Sequence, residues 1–165
     1  LDIGTGSGCI AIILGLKLKS PEISAWDINP EAVKTAKLNA SKFSVKINFD
    51  VKDIFDFKSF IQPFDIIVSN PPYVRLSEST SMTRTVLDYE PKDAIFIKDD
   101  DPLIFYKKIL SMQNDLLSPY GRIYFEINES FAREIEMLLT QHELNKIKII
   151  KDIHGKDRIA SAQRR

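Results

Sequence analysis

Leu1-Asp2-Ile3-Gly4-Thr5-Gly6-Ser7-Gly8-Cys9-Ile10-Ala11 is the stretch that decides the fold. Its first three residues read as the end of a buried strand, its last three open a helix, and glycine recurs at alternate positions between them. Glycines at such a junction let the backbone turn tightly and approach a ligand that a side chain would hold off. The dinucleotide-binding fingerprint places its third glycine three positions after the second. Here Gly8 follows Gly6 by two, and Cys9 stands where that glycine would be needed. A P-loop is excluded more firmly, because no Lys-Ser or Lys-Thr follows.

Outward from this loop, Cys9 to Lys19 reads as a helix packed on its Ile and Leu residues, and Glu22 to Ile28 as a second strand. That strand closes on Asp27, 19 positions after Gly8. An acid at this place accepts hydrogen bonds from both hydroxyls of a ribose. Loop, strand, helix and acid together point to a nucleoside-containing cofactor at the carboxyl edge of a sheet; the plainer alternative is a glycine-rich turn with a helix-capping Asp. Asn29-Pro30 then supplies a helix cap with proline at the first helical position. Val45 to Val51 reads as a third strand. Just beyond it, Asp53 is placed to accept from an exocyclic amine of the cofactor's base, and Ile54 to pack on the ring. Capping the turn that follows is an equally open role for Asp53.

Phe64 to Val68 reads as a fourth strand, ended sharply by Asn70-Pro71-Pro72-Tyr73 because proline cannot continue a ladder. Tyr73 to Asp101 shows little periodicity, and loops of that length inside compact domains are often functional. Asp101-Pro102 opens a helix whose inner face carries Phe105, Ile109, Met112 and Leu116. Gly121 to Ile127 reads as a fifth strand. Phe131, Ile135, Leu138 and Leu139 mark another helix, and Ile147 to Ile150 and Ile159 to Ala162 are the closing strands. Short apolar runs alternating with helical periodicity imply an α/β fold, with a mostly parallel sheet and helices on both faces.

The 165 residues suit one domain, and 44% hydrophobic with 28% charged residues gives an ordinary globular composition. Lys and Arg number 23 and Asp and Glu 23, so the formal net charge is zero. A nucleic-acid enzyme usually carries a basic face, and this balance lowers that reading. The lone cysteine, Cys9, forms no intrachain disulfide, fits a reducing compartment, and is expected to be buried in its apolar run. Cys9 to Leu16 is too short to cross a bilayer, so no membrane association is expected. Because the chain opens on Leu, on what looks like the last part of a strand, it is expected to be a piece of a longer protein.

Asn70-Pro71-Pro72-Tyr73 lies at the strand edge where open α/β sheets bind ligands. Two prolines stiffen the turn and leave backbone carbonyls unpaired. A planar NH₂ group needs two acceptors; the Asn70 side-chain oxygen and the Pro71 carbonyl supply them, and Tyr73 stacks on the flat substrate. Amide and aromatic amine nitrogens are poor nucleophiles, because the lone pair is delocalised. Holding both hydrogens while aiming that lone pair at a methyl sulfonium is a matter of positioning and electrostatics. A proline-rich turn with a surface tyrosine would be the reading if the tetrapeptide stood alone.

These residues resemble the class I S-adenosylmethionine-dependent methyltransferases, and within them the amino-methyltransferases that carry Asn-Pro-Pro-Tyr. The segments Asp2 to Ala11, Val68 to Val74, Glu90-Pro91, Phe125-Glu126-Ile127 and Lys151 to Arg158 are similar to the release-factor glutamine methyltransferases. The resemblance spans essentially the whole chain. It implies a Rossmann-like seven-stranded class I methyltransferase sheet with an antiparallel final strand, filling residues 1–165 as one catalytic domain. It also implies a helical substrate-binding domain ahead of this one, absent from the present sequence.

The resemblance implies S-adenosylmethionine as cofactor, with Gly4, Gly6 and Gly8 along its methionine portion, Asp27 at its ribose and Ile54 at its adenine, and with Thr5, Ser7, Ile28 and Asp53 also among the cofactor-binding residues. Asn70, Pro71, Pro72 and Tyr73 would hold the side-chain amide of the glutamine in a release factor's Gly-Gly-Gln loop, with Asn70 also next to the cofactor. The expected product is N5-methylglutamine on a class I peptide-chain release factor, made in the cytoplasm by a monomer without direct nucleic-acid binding. An adenine-N6 methyltransferase acting on DNA or RNA is the main rival, since adenine's amine presents the same flat NH₂. A binding module that kept the fold and lost the chemistry is the third reading. No metal is expected: Asp99-Asp100-Asp101, His142, His154 and Cys9 lack ligand spacing.

Overall fold

The computed structural model describes residues 1–56, 62–72 and 101–165, with the backbone of 74–75 and 96–97. Its centre is β1 (Asp2–Ile3), flanked in parallel by β2 (Ser24–Asp27) and β4 (Phe64–Ser69). Outward on one side lies β3 (Asn48–Val51); on the other lie β7 (Leu117–Glu126), β9 (Asp157–Gln163) and β8 (Asn145–Lys151). The sheet order is β3-β2-β1-β4-β7-β9-β8, and β9 runs antiparallel to both its neighbours. The other neighbouring pairs are parallel. Two short strands, β5 (Val74–Arg75) and β6 (Phe96–Ile97), pair separately. At two residues each, they are too short to show alternation in sequence.

Alternation along β2 tells the two faces apart. Trp26 joins Ile3, Ile67, Ile123 and Phe125 in the large core, with Ile109 and Leu110 of α3 (Ile104–Ser111) and Ile135 and Leu139 of α5 (Ala132–Gln141). Its neighbour Ala25 faces the other way, packing with Ala11 of α1 (Cys9–Lys17) and Ile23. Helices therefore cover both faces, α1 on one and α3 and α5 on the other. Trp26, Phe125, Ile67 and Ile123 are essentially fully buried, each contributing about 2 kcal/mol relative to an exposed side chain. α2 (Pro30–Lys42) buries Val33, Ala36 and Ala40; Asn29 caps it, its side-chain oxygen accepting from Glu31 N at 2.9 Å.

Several boundaries depart from the sequence expectation: β2 and β3 start later, at Ser24 and Asn48, β8 and β9 are longer at both ends, and three further differences have local causes. α1 stops at Lys17 rather than Lys19; Ser20 takes a positive φ of 52° before Pro21, where a helical residue would clash with the proline ring. The helix expected after Asp101-Pro102 breaks at Met112 into α3 and α4 (Gln113–Leu116), and Tyr106 takes the buried inner position, with Phe105 half-buried. β7 begins at Leu117, four residues early, because Leu117 pairs with Phe64 ahead of an irregularity that includes Tyr120 at φ 63°. Cys9 is exposed, not buried. It occupies the first turn of α1, and its Sγ lies 3.2 Å from the Ser7 Oγ, outside the packed face formed by Ala11 and Ile12.

Candidate active site

Strand register gathers the site onto one rung. Ile3 pairs with both Trp26 and Ser69, so Gly4, one step further, lies beside Asp27 and Asn70. Ser69 pairs with Phe125, so Asn70 lies beside Glu126. Asp27 pairs with Val51, and Glu126 with Ile159. A single rung at the carboxyl edge therefore carries Val51, Asp27, Gly4, Asn70, Glu126 and Ile159 in spatial order. By alternation their side-chain positions share the face that carries α1. The sheet thus brings Asp27, Gly4 and Asn70 together, although they are far apart in sequence.

The glycine loop is held from both sides. Asp27 Oδ2 accepts from Gly6 N at 2.8 Å and Oδ1 from Asn29 N at 2.9 Å; each oxygen keeps further acceptor capacity. Gly4 and Gly6 take φ of 73° and 55°, and an added Cβ at either would meet nothing within 4 Å, so the loop borders open space. Gly8 serves packing instead: at φ 85°, its added Cβ would sit 3.0 Å from Ala36 Cβ. Ser7 is exposed, and its carbonyl accepts from Asn39 Nδ2 at 3.0 Å.

Beneath the loop, Asp2 is buried at 1% exposure. Its Oδ2 accepts from Thr5 Oγ1 at 2.7 Å, while its Oδ1 has no hydrogen-bond partner. Burial raises the Asp2 pKa above the usual carboxylate value; the Thr5 hydroxyl and the Ala11 N–H, in the first turn of α1, oppose that rise. The Thr5 hydroxyl proton is thus directed at Asp2. In the sequence, Asp2 reads only as part of the end of a strand. Its signal was an acid placed inside an apolar strand directly ahead of the loop.

On the rest of the rim, Ile28 is 64% exposed beside Asp27. Asp53 Oδ1 accepts from Phe55 N at 2.8 Å and so caps the turn Ile54–Asp56, the plainer of its two expected roles. Ile54 leans into the main core. Phe55, which no spacing in the sequence singles out, stands partly exposed with its ring 5.6 Å from that of Phe105. Asn70 is exposed at the end of β4, Pro71 is buried and Pro72 half-buried. Tyr73, Glu90, Pro91 and the Asp99-Asp100 pair lie outside the described residues. A cleft of about 360 Å³, lined by Leu1, Ile23, Phe64 and their neighbours, opens at the opposite edge of the strands and is no part of this site.

The family described as "Methyltransferase small domain" matches residues 1–89, more than half of the chain. The chain belongs to the methyltransferase small domain family. Among curated relatives, this methyltransferase small domain is 45% identical over 166 residues to a release factor glutamine methyltransferase of Bacteroides thetaiotaomicron, covering 99% of the chain and 59% of the relative. It is 45% identical over 159 residues to the enzyme of the same name from Flavobacterium psychrophilum, covering 96% of the chain and 56% of the relative. The chain thus spans a little over half the length of these relatives. Among solved structures, a magnesium protoporphyrin IX methyltransferase from Synechocystis, with bound S-adenosylmethionine, matches 99% of the chain and 68% of its own. Its TM-score is 0.62 at 15% identity, a likeness of fold.

Proposed function

We propose that this domain transfers a methyl group from S-adenosylmethionine to the side-chain amide N5 of the glutamine in the Gly-Gly-Gln loop of class I peptide-chain release factors. One observation carries the reading: Asn70, followed by Pro71, shares a rung with Gly4 and Asp27. A planar amide held at β4 is then one strand from a ligand held at β1 and β2. The names of the 45% identical relatives support the same substrate. The same reading makes residues 1–165 one catalytic domain, acting as a monomer in the cytoplasm.

The residues present fit the cofactor. Open space at Gly4 and Gly6, the remaining acceptor capacity of Asp27, and the partnerless Asp2 Oδ1 suit a ligand with a ribose and an ammonium group. When bound, S-adenosylmethionine supplies a methyl group on a positively charged sulfur. The Asn70 Oδ1 and the Pro71 carbonyl accept the two amide hydrogens and turn the nitrogen lone pair toward that methyl. Asp27 takes the ribose hydroxyls, and Ile28 and Ile54 offer apolar surface to the adenine. No base is needed before transfer, because the amide proton becomes acidic only once nitrogen carries the new methyl.

The test is mass spectrometry of a class I release factor incubated with S-adenosylmethionine and the full-length enzyme that carries this domain. One added methyl on the Gly-Gly-Gln glutamine is the expected result. Label appearing on adenine in DNA or RNA, and not on the release factor, would overturn the reading in favour of adenine-N6 methylation.

A further inference from the structure

The seven-stranded sheet is covered unevenly. On the face that carries α3 and α5, Ile67 of β4 and Ile123 and Phe125 of β7 are fully buried. On the other face, α1 and α2 sit over β2 and β3. Strand register carries that face outward from Ala25 through Asp2, Val68, Tyr124 and Ser161, and a neighbouring rung adds Ile159 and Ile150. Its side chains are apolar yet wet. Ile66, Ile159 and Ile150 are 37%, 38% and 42% exposed, and Val68 and Tyr124 are half-buried. β4 and β7 run parallel, and parallel strands ordinarily have both faces covered. The adjoining flank of α1 is bare as well. Ile10, Ile13 and Leu14 follow at i, i+3 and i+4, one flank of a helix. Ile10 and Ile13 are exposed, and Leu14 opens on the cleft it shares with Leu1 and Ile66. Helix flank and sheet face thus form two walls of an apolar trough.

We propose that this trough seats an amphipathic helix from the segment ahead of Leu1 in the full-length enzyme, packed beside α1 as the third helix of its layer. The chain spans a little over half of its curated relatives, and the remainder is ample for such a helix. Its reach follows from β1. Leu1 N donates to the Ile66 carbonyl at 2.8 Å, and the Leu1 carbonyl accepts from Val68 N at 2.8 Å. A chain that enters β1 therefore passes between β2 and β4 at the amino edge, where the trough begins. The six residues of β4 span about 20 Å, the length of a helix of about 13 residues. Arg122 and Lys148 stand on the same face and are exposed, so carboxylates along the helix's polar border fit there. A partner that comes and goes would leave the inner face of parallel strands in water between encounters; a segment of the same chain does not. The helix gives β4, the strand that ends on Asn70, its second cover.

The test puts the photo-crosslinking amino acid p-benzoylphenylalanine in place of Tyr124 in the full-length enzyme and maps its crosslinks by mass spectrometry. A crosslink within one molecule to the segment ahead of Leu1 is the expected result. Crosslinks confined to residues 1–165, to chain beyond Arg165, to a second copy or to added release factor overturn the proposal, as does the absence of any. A second variant of the full-length enzyme, Ile13→Lys, reads the other wall of the trough. Lysine forms helix at least as well as isoleucine, so on an open flank the change moves Tm by about 2 °C or less. Beneath a packed helix it sets an ammonium against apolar side chains, and Tm should fall by about 5 °C. A fall of about 2 °C or less overturns the proposal. Neither readout involves the acceptor, so methylation of adenine instead of the release factor would overturn the proposed function and leave this helix in place.

Discussion

Asn70, exposed at the end of β4, and Asp2, buried in the neighbouring β1, illustrate two kinds of work done by polar side chains. The proposed function places the contribution of Asn70 in the transition state. Asn70→Ala is expected to lower turnover by about a hundredfold or more and to leave cofactor affinity, measured by calorimetry, within a few-fold; a parallel loss of both would assign Asn70 to the cofactor. Asp2 is buried, with one oxygen bound by Thr5 and the other without a partner. Its raised pKa means that the folded state binds this proton more tightly than the unfolded chain. The resulting contribution to stability is present below the ordinary carboxylate value and is lost as pH rises through the higher value of Asp2. Asp2→Asn keeps the acceptor for Thr5 and removes the titration. Urea melts of the two proteins at pH 4 and pH 7 should therefore show a smaller loss of stability with rising pH in the variant.

At the scale of elements, the loop glycines divide between packing and ligand space. Gly8→Ala would force a left-handed conformation on alanine and press its Cβ to 3.0 Å from Ala36 Cβ, so that α1 and α2 must give way slightly where they meet. The cost is about 2–4 kcal/mol, visible as a lowered Tm without cofactor. Gly4→Ala pays the backbone penalty alone, about 1–2 kcal/mol, but puts its methyl into the open space of the loop; its larger effect is expected in cofactor affinity. These roles are only half legible in the sequence. Loop, Asp27 and Asn70-Pro71-Pro72 lie at strand ends whose local patterns are strong, and the structure places all three at the carboxyl edge. The neighbourhood of Asn70 and Glu126 comes from β4 pairing with β7 across the intervening chain, and no local pattern records a pairing. Cys9 misled for a related reason: its apolar neighbours Ile10 and Ala11 hide that the first helical position points along the loop rather than toward the sheet.

For the whole molecule, the strand order and the single antiparallel strand follow from pairings that composition does not encode, whereas the class of sheet follows from the alternation of strand and helix patterns alone. Charge is the property that sequence gives directly at this scale. Lys and Arg equal Asp and Glu in number, and several cations near the carboxyl edge are already paired: Lys156 with Glu129 at 2.7 Å, Lys151 with Asp157 at 2.8 Å and Arg158 with Asp152 at 3.4 Å. A surface so neutralised has little excess field with which to draw in a polyanion. An enzyme that reads nucleic acid through six to ten phosphate contacts loses about 10³–10⁵ in affinity between 50 and 200 mM salt, because each contact releases condensed counterions. A protein loop releases no such atmosphere, and its exposed ion pairs are each worth less than about 1 kcal/mol. Half-saturating release factor is therefore expected to rise by about threefold or less over that salt range, measured as the concentration dependence of glutamine methylation. A steep fall in affinity, linear in the logarithm of salt, would mean that a polyanionic surface is what this sheet edge recognises.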